Sequence, residues 1–442
     1  MADEDEKNIL IVDGEKLSGL ISKMLAGDFS TDVAHDGLNA VQKLREILPH
    51  AIVVEVDIPG NGIKLTELLG VNPKYSGVPI ILTAANPSPD MIIRSKNAGA
   101  DSFLAKPFKP SDLKGRISQL SAVRVEAADA AAEGEAATEE GGEAAPAAGV
   151  GAEEDENGLS SDLTNRVKSI EGLPSFPATH AEILKLANSE EASSDDIAEK
   201  LQLDSGLLAT IFKLVNSSGY GFRKKVDSLK LAVTLLGLEE IANLVMAAQV
   251  FDKLGNYDDG SGLDATEFWR HSVGVGFAAR AISKKLQTEA ESAFLAGMLH
   301  DVGKIVLDRF FVDYYKEVLN IVGDEKTLIV DAEKDVLGIT HADIGAVLAS
   351  EWKFANTYLN TIQYHHTPGE ARRYKRLVCL IHIADGLTRE LGFGSGGDLV
   401  VPEIQEAALD QFHMADRGVG MLREAVEVEL EGADSFLAAL KS

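Results

Sequence analysis

Short apolar runs alternate with helical spacing over the first part of the chain. Four such runs, at 8–13, 51–57, 78–83 and 102–106, each end near an acidic, hydroxyl or lysine side chain. Continuous apolar runs of this length are typical of strands buried on both faces of a parallel sheet. Helical periods lie between them, as over 38–48. The alternation predicts a doubly wound α/β domain over residues 1–123, with any site at the carboxyl ends of its strands.

The spacing changes to that of helices in the second half of the chain. From residue 163 onward apolar residues recur every three or four positions, which predicts an all-α helical bundle over 158–442. Thr179 is the predicted cap of an early helix, and Gly237 separates two further amphipathic segments. We divide the bundle into a helical lead-in at 158–255, a second half at 263–393 and a helical tail at 398–442. The tail is expected to pack back on the bundle, and binding of a partner helix is the alternative.

An acidic low-complexity stretch separates the two domains. Residues 124–157 are rich in Ala, Glu and Gly and contain no aromatic residue. Such a composition cannot bury enough apolar surface to offset the entropy of ordering the chain. We therefore predict a disordered, self-repelling linker; an acidic interaction tail is the alternative.

Composition limits the classes of partner and the compartment. The chain has 442 residues, 45% hydrophobic, with a formal net charge of −28 and a single cysteine, Cys379. The acidic charge argues against nucleic acid as a partner. No apolar stretch is long enough to span a bilayer, and the N-terminus does not resemble a signal peptide. These features favour a cytoplasmic protein without disulfide bonds.

Polar residues at the predicted strand ends resemble the active site of response-regulator receiver domains. Asp13, Thr83 and Lys106 all fall at such ends, and Pro107 follows the lysine. In that family an acidic pair after the first strand binds Mg²⁺, and an aspartate after the third strand accepts a phosphoryl group. The resemblance implies that Thr83 and Lys106 would contact the phosphoryl oxygens. It also implies a flavodoxin-like fold.

This receiver departs from the family pattern at two positions. Gly14 replaces one member of the acidic pair, although Glu15 follows, so an ordinary Mg²⁺ site is not expected. Glu55 occupies the acceptor position, with Asp57 as its rival. Glutamate is one methylene longer, and its carboxylate is expected to reach Lys106 and imitate the phosphorylated state. The alternative is that these acids are solvated remnants. We expect a receiver that is not conventionally phosphorylated.

Histidines and acids recur in the second half in an order suited to metal binding. His300-Asp301 ends an apolar run and is followed by Gly303 and Lys304. Neutral imidazoles and carboxylates together bind divalent ions such as iron, manganese, zinc or magnesium. A single helical histidine is more often structural, but here the order is H…HD…H…HH…D. The candidate metal ligands are His271, His300, Asp301, His341, His365, His366 and Asp385.

This order resembles the metal-dependent phosphohydrolases of the HD superfamily, and over 163–393 the text resembles its HD-related output domain (HDOD) branch. The segments LPSFPATHAEIL, LQLDSGLLATIFKLVNSSGYG and AVTLLGLEEIANLVM carry the closer likeness. The resemblance implies one ion held by His271, His300, Asp301 and Asp385. His341, His365 and His366 would then hold a second ion or a substrate phosphate, and Lys304 would offset phosphate charge.

The residues after His365-His366 discriminate between two possible functions of the chain. Cyclic-dinucleotide phosphodiesterases of the superfamily carry a glutamate directly after it and a Gly-Tyr-Pro downstream, whereas here Thr367-Pro368 follows. We therefore expect a two-component signalling regulator that acts by protein–protein interaction. The alternative is a metal-dependent phosphohydrolase acting on a nucleotide or another phosphoester, and metal sensing without turnover lies between the two. The partners are expected to be signalling proteins, and a homodimer is left open.

Overall fold

A computed structural model describes residues 7–72, 74–75, 77–121, 167, 170, 173, 201, 204–255, 260–288, 292–414 and 416–441. These residues form two compact units, which we describe separately. The predicted linker at 124–157 and the predicted cap at Thr179 lie outside the described residues.

The N-terminal unit is an α/β domain built on a parallel sheet. Its elements in chain order are β1 (Asn8–Val12), α1 (Glu15–Leu25), β2 (Ser30–Ala34), α2 (Gly37–Glu46), β3 (Ala51–Glu55), α3 (Gly62–Val71), β4 (Ile80–Ala84), α4 (Pro89–Asn97), β5 (Ser102–Ala105) and α5 (110–121). The five strands lie in the order β2-β1-β3-β4-β5 and all pair in parallel. The doubly wound, flavodoxin-like fold is confirmed. The Lys106–Pro107 peptide bond is cis.

The edge strand β2 was not predicted, and its sequence explains why. Ser30-Thr-Asp-Val-Ala34 has no apolar run, and only Ala34 is fully buried. A strand at the edge of the sheet is half solvated and can carry polar residues. The central strands instead contribute Ile9, Val53 and Ile81 to a core closed by Leu113 of α5.

The second unit is helical, as predicted. Its described helices are α6 (Ser205–Val215), α7 (Leu229–Leu236), α8 (Leu238–Leu254), α9 (Ala265–Leu286), α10 (Ala293–Leu299), α11 (Val302–Phe310), α12 (Val312–Glu325), α13 (Ile329–Leu337), α14 (His341–Glu351), α15 (Asn356–Tyr364), α16 (Lys375–Glu390), α17 (Glu406–Asp410), α18 (Asp416–Leu430) and α19 (Ala433–Leu440). Helix α8 continues to Leu254, where its apolar stripe ends.

Local sequence signals set several helix boundaries in this unit. Gly237 has a φ of 87° and separates α7 from α8, where a residue with a Cβ would be strained. Thr340 and Asp343 form a reciprocal capping box that starts α14 at His341. In the tail, the Phe436 ring packs edge-on against Phe277 of α9, at 5.5 Å between centroids. The tail therefore folds onto the bundle.

No described helix is by itself long and apolar enough to cross a membrane. The consecutive helices α7 and α8 meet that requirement only as a pair, and the chain bends by 112° between them.

Candidate functional site

Four polar side chains meet at the carboxyl edge of the receiver sheet. Lys106 Nζ lies 2.6 Å from Asp13 Oδ2 and also contacts the Glu55 carboxylate. Thr83 Oγ1 donates a hydrogen bond to Glu55 Oε2 over 3.0 Å. Parallel strands end at the same edge, which explains why residues far apart in sequence converge there. The Glu55 carboxylate thus contacts Thr83 and Lys106, the two residues that would bind a phosphoryl group according to the family resemblance.

The other predicted acids of the receiver lie away from this contact. Asp57, the rival of Glu55 for the acceptor position, lies beyond the end of β3 and is exposed in the following turn. Glu15 is exposed in the first turn of α1. Asp13 Oδ1 accepts a hydrogen bond from the Gly14 amide over 2.8 Å. The edge therefore holds one lysine between two carboxylates, without a second acid beside Asp13.

Close helix crossings assemble the second site. Helices α9 and α10 cross at Gly276 and Gly297, where a Cβ on Gly297 would lie 2.8 Å from the Gly276 backbone. Only glycine permits this approach, because any larger side chain would collide with the facing helix. The crossing brings His271 and His300 together, with 5.4 Å between ring centroids.

A second glycine crossing brings Asp301 beside His341. A Cβ on Gly303 of α11 would lie 2.8 Å from the Gly345 amide nitrogen of α14. The backbones touch there, so the start of α11 faces the start of α14. His365 and His366 arrive at the end of α15, and Asp385 lies within α16.

The two oxygens of Asp301 face different groups of imidazoles. Oδ2 lies 3.3 Å from His300 Nε2 and 3.9 Å from His271 Nε2. Oδ1 lies 3.0 Å from His341 Nε2 and 3.5 Å from His365 Nε2. The carboxylate therefore separates two possible ligand sets, within each of which the ligand atoms lie no more than 4.8 Å apart. The first set is His271, His300 and Asp385, and the second set is Asp301, His341, His365 and His366.

This grouping places Asp301 in the second set, while the assignment that the resemblance implied stays a prediction. Asp301 was expected to join His271, His300 and Asp385 around one ion. Asp301 Oδ2 does face His300 and His271, whereas Oδ1 faces His341 and His365, so the Asp301 carboxylate lies between the two sets. All seven predicted ligands nevertheless lie in one cluster, and His366 Nε2 is 3.0 Å from His341 Nε2.

Hydrogen bonds fix the orientation of two imidazoles. His300 Nδ1 lies 2.6 Å from the Gly297 carbonyl oxygen, and His365 Nδ1 lies 2.7 Å from the Ile362 carbonyl oxygen. A carbonyl only accepts, so Nδ1 carries the proton in each ring, as in metal-ligating histidines. In the neutral ring, Nε2 is then an acceptor directed at a carboxylate oxygen. Neither Nε2 has a hydrogen-bond partner in the described chain.

An imidazole nitrogen and a carboxylate oxygen that are both hydrogen-bond acceptors repel each other unless a cation lies between them. That cation is either a metal ion or a proton. The second set, Asp301, His341, His365 and His366, satisfies this requirement and fits a divalent ion by ligand type. The His/Asp cluster is thus suited to metal binding, and its residues do not specify which metal is bound.

Two buried cations already contact the carboxylates of the cluster. Lys304 Nζ lies 2.8 Å from Asp301 Oδ2 and 3.1 Å from Asp398 Oδ2. Arg389 Nε lies 2.6 Å from Asp385 Oδ1, and its guanidinium also contacts Asp398. Three carboxylates and two cations therefore share one buried space, leaving one negative charge in excess.

The pKa values of these groups reflect this network. Burial raises the pKa of Asp301, but His300 and Lys304 outweigh it and hold that pKa well below its usual range. Burial likewise raises the pKa of Asp385, and Arg389 foremost among its neighbours holds it well below the usual value. Burial lowers the pKa of His365 to about 4, so this ring is neutral at pH 7. The carboxylates are ionised at that pH.

Sequence reasoning missed Arg389, Asp398 and Gly396. Arg389 stands four residues after Asp385 on α16, a spacing that could have indicated a pair on one helix face. Asp398 follows the glycine-rich segment 394–397, which was interpreted only as a connection to the tail. A Cβ on Gly396 would lie 2.9 Å from Asp301 Oδ2, so this loop covers the cluster directly.

His382 and Trp269 have structural roles near the cluster. His382 Nδ1 lies 2.8 Å from the His365 carbonyl oxygen, and its Nε2 accepts from the Gln405 amide over 3.0 Å. Trp269 is buried against Phe251 in an edge-on contact with 5.1 Å between ring centroids. These contacts support the bundle around the cluster.

Comparison with protein families identifies both parts of the chain. Residues 9–118 match the response regulator receiver domain, and residues 173–368 match the HDOD domain. The HDOD match ends before Asp385, Arg389 and Asp398, which lie further along the chain.

Individual relatives resemble one part of the chain or the other. An uncharacterised protein from Treponema pallidum is 26% identical over 245 residues, covering 53% of this chain and 45% of the relative. The DNA-binding response regulator MtrA from Mycobacterium tuberculosis is 33% identical over 118 residues, covering 26% of this chain and 50% of the relative. The chain thus spans about half the length of these curated relatives. A crystal structure of an HDOD domain protein with unknown function from Geobacter sulfurreducens covers 61% of this chain and 95% of its own, with a TM-score of 0.53 and 23% identity, and shares the fold.

Proposed function

The chain carries a receiver domain followed by an HDOD domain and is a signalling protein of the two-component type, and we propose that it regulates other signalling proteins by binding them, without phosphoryl transfer at either site. One observation carries this proposal. The groups that would bind phosphoryl oxygens, Thr83, Lys106 and Lys304, are each already bonded to a carboxylate of the chain.

In the receiver, Glu55 takes the role that a phosphoaspartate has in the family. Its carboxylate accepts from Thr83 and contacts Lys106, the two groups whose rearrangement reports phosphorylation in receivers. A glutamate is also a poorer acceptor than an aspartate at this position. The receiver is therefore held in a state that needs no phosphoryl donor.

In the HDOD domain, most of the cluster is closed to a phosphoester, and of the seven predicted ligands only His366 is partly exposed. His271, His300 and Asp301 are fully buried, and Gly396 lies against the Asp301 carboxylate. Lys304 is fully buried between Asp301 and Asp398, so it has no free direction toward a substrate phosphate. In-line hydrolysis needs an open position at the site, and these contacts leave none beside Asp301 Oδ2.

Intact-mass measurement after incubation with acetyl phosphate and Mg²⁺ tests the receiver. We expect no adduct on the wild-type chain, and an adduct on the double variant Gly14→Asp/Glu55→Asp, which restores both family acids. A wild-type adduct that disappears in Glu55→Ala or in Asp57→Ala would refute the proposal and identify the acceptor.

A metal-dependent phosphohydrolase is the second candidate function. The Nε2 atom of His365 favours it, because it has no hydrogen-bond partner in the described chain and lies 3.5 Å from Asp301 Oδ1, as a metal ligand would. Asp301, His341, His365 and His366 would hold the ion, and a bound ion would polarise a phosphoester and activate water. Iron, manganese and zinc suit these ligands better than magnesium, because imidazoles predominate.

Turnover distinguishes the two functions. The metal-reconstituted chain is assayed with cyclic dinucleotides, nucleoside phosphates and an aryl phosphodiester. The regulatory function predicts no turnover. Activity that is lost in both His300→Ala and Asp301→Ala would establish the phosphohydrolase instead.

The partners follow from the same proposal. We propose other signalling proteins in the cytoplasm, and neither nucleic acid nor membrane, in keeping with a net charge of −28. A partner found by affinity capture should bind Glu55→Ala more weakly than wild type, since that variant releases Lys106 and Thr83. Equal affinity for the two chains would show that the Glu55 contact does not control binding.

A further inference from the structure

The two ligand sets of the HDOD cluster differ in the cations that surround them. In the second set, the ion pairs of Asp301 Oδ1 within the described chain are with the imidazoles of His341 and His365. Around the first set, the two carboxylate oxygens close to its imidazoles, Asp385 Oδ1 and Asp301 Oδ2, also contact an arginine and a lysine. This difference decides where a metal ion can be bound.

Arg389 engages the oxygen that the first set would offer to a metal. Asp385 Oδ1 lies 3.1 Å from His271 Nε2 and 3.7 Å from His300 Nε2. The same oxygen lies 2.6 Å from Arg389 Nε. A metal bound at its usual distance of about 2.1 Å from that oxygen would stand beside a guanidinium nitrogen, and the two positive charges would repel each other.

The neighbouring Asp301 oxygen is engaged in the same way. Lys304 Nζ lies 2.8 Å from Asp301 Oδ2, and Arg389 Nη2 lies 3.6 Å from it. Both cations thus occupy the side of the carboxylate that faces His271 and His300.

The guanidinium is held where it is. Its side chain is buried, Asp385 lies one turn before it on α16, and Asp398 contacts its other nitrogen. The loop that supplies Asp398 packs so closely that a Cβ on Gly396 would lie 3.1 Å from Lys304 Nζ. Two carboxylates therefore hold Arg389 beside the first set.

From these contacts we infer that Arg389 replaces a metal ion in the first set, so that the chain holds at most one ion, on Asp301, His341, His365 and His366. The inference goes beyond the proposed regulatory role and does not depend on it. A chain with turnover and a chain without turnover give the same metal count, so either proposal can fail without the other.

Metal content of the full chain tests the inference. Protein is stripped with a chelator, reconstituted with Mn²⁺ or Zn²⁺, dialysed and measured by elemental analysis. We expect at most one equivalent in the wild type, unchanged by His271→Ala and lost in His341→Ala. Two equivalents in the wild type, or a loss of metal in His271→Ala, would overturn the inference.

The variant Arg389→Gln opens the first set. It should bind one equivalent more than the wild type, and Arg389→Gln/His271→Ala should lose that gain. Arg423→Gln is the matched control. Arg423 lies on α18 and pairs on the exposed surface with Glu390, which follows Arg389 at the end of α16. This control should leave the metal count unchanged. An unaltered count in Arg389→Gln contradicts the inference.

The melting temperature tests the inference even if the Arg389→Gln variant folds less stably than the wild type. Because an ion can take over the charge of the guanidinium, Mn²⁺ or Zn²⁺ should raise the melting temperature of Arg389→Gln more than that of the wild type. If Arg389→Gln remains unfolded when it is expressed and purified with either ion, the inference that Arg389 replaces a metal ion is wrong.

Discussion

The receiver edge and the HDOD cluster both hold a lysine between two carboxylates, but water reaches only one of them. Lys106 lies between Asp13 and Glu55, and its side chain is 12% exposed. Lys304 lies between Asp301 and Asp398 and is 0% exposed. At the edge, water can solvate a charge that loses its partner, whereas in the helical interior it cannot.

This difference explains how each site avoids an external ligand. In the receiver, one glutamate that is a methylene longer than aspartate is sufficient, because Thr83 and Lys106 already face the strand end. In the HDOD domain, three buried carboxylates need fixed cations, and the chain provides Lys304 and Arg389 from separate helices. The arrangement in the receiver needs a single substitution. The arrangement in the HDOD domain depends on a loop that closes over the cluster.

The largest expected effect is that of Asp301→Asn. It leaves the buried Lys304 with one carboxylate instead of two and removes a contact of Arg389. We expect a loss of about 3–5 kcal/mol in the free energy of unfolding in metal-free protein. Both tryptophans, Trp269 and Trp352, lie in the helical unit, so their fluorescence in a urea titration reports its unfolding. A loss below about 1 kcal/mol would mean that the interior solvates Lys304 as the receiver edge solvates Lys106.

The acid dependence of the helical unit should be nearly as large. The pKa of His365 is about 4 in the folded chain because of burial, below its unfolded value of about 6.5. The stabilising effect of the neutral ring is therefore full above pH 6.5 and is lost as the pH falls toward 4, at a cost of about 3 kcal/mol. His271 and His366 shift in the same direction, again mainly through burial.

Tryptophan fluorescence in urea at a series of pH values, with EDTA present, measures this dependence. His365→Gln should flatten the slope between pH 6.5 and 5, where ionised carboxylates with lowered pKa values do not titrate. An unchanged slope in that variant would assign the acid sensitivity to other groups.

Glu55→Gln should have a smaller effect on the receiver. Lys106 keeps Asp13 and remains partly exposed, so we expect a loss of about 1 kcal/mol. Hydrogen exchange of peptides that cover β4 and β5 in the full chain measures it without interference from the helical unit. A loss as large as that of Asp301→Asn would remove the distinction between the two sites.

The smallest effect is expected for the exposed pair Arg270 and Asp434. Arg270 Nε lies 2.8 Å from Asp434 Oδ1, and the two side chains are 32% and 58% exposed to water. Asp434→Asn should change the free energy of unfolding by about 0.5 kcal/mol or less. This variant is the matched control for Asp301→Asn, because it makes the same substitution in the same unit and differs only in burial.

Much of the fold could be predicted from local patterns. Four of the five strands, the helical character of the second unit and the break at Gly237 follow from apolar runs and spacing, because strands and helices impose different periods on a buried face. The polar edge strand β2 could not be predicted in this way. Pairing with β1 defines it, and no buried run of its own marks it.

By itself the sequence determined the types and order of the site residues: Asp13, Glu55, Thr83 and Lys106 at strand ends, and seven histidines and acids in the order of the HD superfamily. Only the tertiary structure decided how they are shared. The two oxygens of Asp301 divide the ligands into two sets, and Arg389 and Asp398 join the first of them from beyond the recognised motif. The physical reason is that charge compensation in a buried space depends on distances of a few ångströms between helices. Those distances are set by the glycine crossings at Gly276, Gly297, Gly303 and Gly345, which the residue order along the chain does not reveal.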